Sequence, residues 1–87
     1  MHNDQARLQR SSRDLTRWQK AQEQLLSGRP GPALSGYRDL VRRYPAMPSL
    51  WFELGNAASG ELDFALANQA YHRALELSPN EIGRAHV

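Results

Sequence analysis

Apolar residues return at steps of three or four along most of this chain, and turn-forming residues cut that pattern into four stretches. The first stretch runs from Ser12 to about Ser27, with Leu15, Trp18, Ala21, Leu25 and Leu26 on one face of a predicted helix. Gly28 follows at the position just past a helix end, and Arg29-Pro30-Gly31-Pro32 makes a turn whose prolines suit the first turn of the next helix. A second helix is predicted to about Tyr44, facing inward with Ala33, Leu34, Tyr37, Leu40 and Val41, until Pro45 stops it. Pro48 opens a third with Leu50, Trp51, Leu54, Ala57 and Ala58. After Gly60 and the N-cap candidate Asp63, a fourth carries Phe64, Leu66, Ala67, Ala70, Tyr71, Ala74, Leu75 and Leu77 to Pro79. No useful length alternates with period two, so the expected class is all-α, with about four antiparallel helices in two helix-turn-helix units.

The beginning reads in two ways. Ser11 with Asp14 resembles a capping box that would start the helix there and leave residues 1–11 as a frayed arm. Alternatively Leu8 extends the stripe of Leu15 and Trp18, and one long helix runs from about Asp4; the good helix formers from Gln5 to Arg10 favour this second form.

The chain also matches itself when displaced by 34 residues: Ala33, Tyr37 and Pro45 fall on Ala67, Tyr71 and Pro79, and Val41 on Leu75. A fixed period of this size is the mark of a helical solenoid, in which each unit covers the apolar face of the next. The second unit is the clearer. Trp51-Phe52-Glu53-Leu54-Gly55, then Ala67, Tyr71 and Ala74 in register, then Pro79, resemble the tetratricopeptide repeat. Ala58 departs from the tyrosine common in that family, and Leu62 occupies the usual turn glycine. The first unit keeps Gly28, Ala33, Tyr37 and Pro45 but has Ala21 where the second has Gly55, and Trp18 is one residue out of register with Trp51. This divides the chain into an arm or helix extension at 1–11, a degenerate first repeat at 12–46 and a well-matched second repeat at 47–81. Residues 82–87 back-translate to ATC GGA AGA GCA CAC GTC, a sequencing-adapter sequence, and are read as an artefact of a cut reading frame. The expected parent is a longer bacterial protein, since arginine greatly outnumbers the single Lys20.

Gly55 inside a helix costs about 1 kcal/mol relative to alanine, which close approach of the paired helix would offset, with Ala67 as its small partner. The resemblance implies that the first helix of each unit lines a groove for a peptide or helix of another protein. It implies Trp18, Gln22 and Leu25 in the first unit and Ser49, Phe52, Asn56 and Ser59 in the second as groove residues. Asn56 stands out, because a side-chain amide can hold a partner's backbone by paired hydrogen bonds. Family members that clamp a terminal carboxylate do so with Lys or Arg; here Trp18 and Phe52 occupy the corresponding places, so no such clamp is expected. The alternative function is an N-terminal repeat arm of a larger bacterial transferase, of sulfotransferase, glycosyltransferase or methyltransferase type.

Composition narrows the remainder. A hydrophobic fraction of 40% in 87 residues supports a thin helical core. Without cysteine there is neither a disulfide nor a thiolate metal site. No apolar run approaches the roughly 20 residues that span a bilayer, and Met1-His2-Asn3-Asp4 lacks a secretory pattern, so a cytoplasmic chain is expected. A formal charge of +2 gives no reason to expect nucleic acid. Arg7, Arg10, Arg13, Arg17 and Lys20 form a basic stripe read as the solvated back of an amphipathic helix. His2, His72 and His86 are far apart, and Glu53, Glu61, Asp63 and Glu76 read as surface or cap carboxylates, so neither catalysis nor a cofactor is expected. Leu66, Ala70 and Leu77 are expected to be partly bare at the cut end, which would allow self-association there.

Overall fold

Five α-helices account for nearly all of residues 4–79, the part of the chain described by the computed structural model: α1 (Asp4–Arg10), α2 (Ser12–Leu26), α3 (Pro30–Arg43), α4 (Pro48–Gly60) and α5 (Phe64–Leu77). No strand occurs among the described residues. The six residues read as adapter lie outside them. Each helix packs chiefly on its neighbours in the chain, and the connections between them are short.

The extra helix corrects the expectation of four. The chain does not continue as one helix from Asp4, because Ser11 takes an extended conformation (φ −99°, ψ 101°) and caps α2, its hydroxyl accepting the Asp14 N–H at 3.3 Å. Nor is the preceding segment a frayed arm. Leu8 is fully buried, the Asp4 carboxylate accepts the Ala46 N–H at 2.7 Å, and the Arg7 guanidinium lies 5.1 Å from the centre of the Tyr44 ring. Seven residues could not hold a helix alone; tertiary contacts to the α3–α4 connection hold this one.

The turns after α2 and after α4 are the same backbone motif, 34 residues apart. After α2, the Arg29 N–H reaches the Gln24 carbonyl and the Gly28 N–H that of Leu25; after α4, the Asp63 N–H reaches Ala58 and the Leu62 N–H reaches Ser59. Both are Schellman closures, which need a left-handed residue. Gly28 supplies it at φ 75° and Leu62 at φ 62°. A left-handed conformation costs a non-glycine residue roughly 1–2 kcal/mol, and Leu62 is 74% exposed, so little packing offsets that cost. Leu62→Gly is therefore expected to raise stability by about 1 kcal/mol, measured by urea unfolding; a loss would mean that the leucine side chain holds the turn.

Tyr37, Leu8, Leu40, Leu50 and Leu54 are the largest fully buried side chains, and Ala33, Ala57, Ala67, Ala70 and Ala74 let the helices come close. Gly55 is packed against Tyr71 rather than Ala67: a Cβ there would lie 2.5 Å from Tyr71 Cε1. At the turn end, a Cβ on Gly60 would lie 2.8 Å from Pro30 Cβ, so the start of α3 rests on the end of α4. Ala70 is fully buried in the core, against the expectation that it is partly bare, because it faces the inner side of α5 as Ala67 and Ala74 do; Leu66 and Leu77 are half-buried. The exposed large apolar side chains of α5 are Phe64 and Leu75.

Candidate partner groove

The residues expected to face a partner come from α2 and α4, and one carboxylate ties them together. Glu53, half-buried on α4, accepts the Trp18 indole N–H at 2.9 Å and the Tyr37 hydroxyl at 2.8 Å on Oε1, and the Gln22 amide at 3.4 Å on Oε2. Its donors belong to α2 and α3, so this side chain ties α4 to both of them. The reading of Glu53 as a surface carboxylate is thus corrected. Trp and Tyr carry polar atoms that need acceptors when their rings are buried, and Glu53 serves both. Burial first, and then the adjacent Glu53 carboxylate, push the Tyr37 phenol far above its ordinary range, so it remains a donor throughout the working pH range.

Beside Glu53 lies an open depression of about 380 Å³, lined by Gln22, Leu25, Leu26, Tyr37, Glu53 and Asn56. Three of the expected groove residues, Gln22, Leu25 and Asn56, meet there. Trp18 joins through its bond to Glu53, with its ring packed against the core. Asn56 uses its Oδ1 to accept the Tyr71 hydroxyl at 2.6 Å, while its Nδ2 donors bond to no described residue. Burial also raises the Tyr71 pKa, which preserves that donor. Phe52 stands 42% exposed, its ring 5.6 Å from that of Tyr71 at 48°. Ser49, Phe52, Asn56 and Ser59 share one face of α4, but of these only Asn56 lines the depression. Leu26 and Glu53 were missed. Leu26 falls at helical spacing on the apolar face of α2, yet it is 89% exposed because the helix ends there.

A second depression, of about 560 Å³, runs between α2 and α3 and is lined by Arg17, Lys20, Arg38, Arg42 and Asp39 among others. This divides the supposed basic stripe. Arg7 turns to Asp4 and Tyr44, Arg17 pairs with Asp39, and Arg17 and Lys20 join cations of α3 instead of the α1 arginines. Near the start of α2, Asp14 is buried and accepts from Tyr44 and, at 2.9 Å, from Arg43.

Among the described residues no cluster of His, Asp or Glu could hold a metal ion, and no helix is long and apolar enough to cross a membrane. Neither a family model nor a curated protein nor a solved structure matches the chain.

Proposed function

We propose that this chain is a protein-interaction module of tetratricopeptide type, which takes a peptide or helix of a partner against α2 and α4. The observation that carries this reading is the single depression shared by Gln22 and Leu25 of the first unit and Asn56 of the second. Its chemistry suits a polypeptide. The Asn56 Nδ2 is open to a backbone carbonyl, and the exposed Leu26 and Phe52 offer the apolar and aromatic anchors typical of binding hot spots. The 34-residue interval between the two Schellman turns agrees with the repeat reading.

Peptides selected from a random displayed library against the chain provide the test. The pair Leu26→Ser and Phe52→Ser is expected to weaken their binding by at least about tenfold with little change in melting temperature, since both side chains are exposed. Peptides that bind this double variant as well as the parent would move the interface elsewhere and contradict the proposal.

A further inference from the structure

We infer that the depression beside Glu53 receives a basic side chain, arginine or lysine, from an extended partner segment, with Glu53 as its countercharge. The inference rests on the groove reading above and names the chemistry that the groove selects.

The acids among the described residues fall into two groups, with one exception. Asp4, Asp14, Asp39 and Glu76 are ion-paired, to Arg7, Arg43, Arg17 and Arg73. Glu23, Glu61 and Asp63 are exposed to water. Among the described residues only Glu53 is neither: it is half-buried, and its hydrogen-bond donors are an indole, a phenol and an amide, all neutral. Removing a carboxylate from water without a countercharge is costly. A glutamine oxygen could accept the two short bonds, from Trp18 and Tyr37, without that cost. The negative charge therefore has a use that the folded chain alone does not supply.

Geometry points the same way. Oε1 holds the two short bonds, whereas Oε2 has only the 3.4 Å contact with Gln22, leaving it acceptor capacity. Leu25 and Leu26 line the same depression. An apolar wall ending at a carboxylate is complementary to a long side chain with an aliphatic stem and a cationic head. The cations Arg17, Lys20, Arg38 and Arg42 line the other depression, not this one, so no nearby residue of the lining neutralises Glu53. A partner's terminal carboxylate would meet like charge here.

The test uses the whole chain, isotopically labelled, with the Trp18 indole N–H as reporter because it bonds directly to Glu53. The probes are end-capped alanine peptides carrying one central arginine, lysine, citrulline or glutamate. Arginine and lysine peptides are expected to shift this resonance and to bind about tenfold more tightly than the citrulline peptide, the neutral isostere of arginine. The glutamate peptide should bind no better than citrulline, and added salt should erode the advantage. Glu53→Gln keeps an acceptor for Trp18 and Tyr37, so it should stay folded and remove the preference. Equal binding of arginine and citrulline peptides by the unaltered chain overturns the inference while leaving a groove in place. Failure of every peptide to perturb the depression overturns both readings.

Discussion

Asp14→Ala is expected to cost about 3 kcal/mol of folding stability, a value typical of removing one partner from a buried charged pair. Asp14 is 5% exposed on the first turn of α2, where a negative charge also suits the helix N-terminus. Its carboxylate accepts the Tyr44 hydroxyl and, at 2.9 Å, the Arg43 guanidinium. Without it, the buried Tyr44 phenol has no acceptor in a segment that also supports α1 through Arg7 and Ala46. The same group produces a pH signature. The Tyr44 hydrogen bond, then Arg43 and the Ser11 hydroxyl, outweigh desolvation and hold the Asp14 carboxyl below its ordinary value. A depressed folded-state pKa gives stability that is complete above the unfolded value, about 4, and is lost as pH falls through the folded value. Tyr44 has the opposite sign: its hydrogen bond to Asp14, with burial, raises its pKa, so its contribution is complete below about 10 and fades above. Urea unfolding across pH should show both limbs. Asp14→Asn should flatten the acid limb; an unchanged acid slope would remove Asp14 from this role.

Gly55→Ala is expected to destabilise the chain by about 2 kcal/mol, although glycine to alanine in a helix interior ordinarily gains about 1 kcal/mol. The new methyl would lie 2.5 Å from Tyr71 Cε1 and 2.6 Å from Cδ1. The ring cannot swing away without cost, because its hydroxyl is held by Asn56 at 2.6 Å and its face neighbours Phe52. The clash must therefore be relieved by separating α4 from α5. Thermal and urea unfolding measure the effect directly, and an increase in stability would show that the ring adapts freely.

The end of α2 and the boundaries of α3, α4 and α5 were legible because local chemistry decides them. Prolines begin α3 and α4, Asp63 caps α5 with its carboxylate on the Leu66 N–H, and Gly28 closes α2. The helix α1 was not legible as a separate element, because its anchor is Asp4 on Ala46, 42 positions away, which no local pattern encodes. Leu62 shows the reverse case: the closure of α4 imposes a left-handed backbone that its side chain disfavours. At the candidate groove, the repeat resemblance pointed to Gln22, Leu25 and Asn56, which meet in one depression. It could not reveal Glu53, whose role depends on donors 35, 31 and 16 positions away. The unmet polar needs of Trp18 and Tyr37 were the one available signal, and they specify an acceptor without saying which.

The groove assignment is tested most directly by mapping backbone and indole resonances while adding a library-selected peptide. The two tryptophans make an internal comparison: the Trp18 indole bonds to Glu53 beside the depression, whereas the Trp51 indole bonds to the Pro45 carbonyl at 2.8 Å. The account predicts that Trp18, Leu26, Glu53 and Asn56 shift while the Trp51 indole stays still. Shifts confined to Arg38, Arg42 and the depression between α2 and α3 would contradict it.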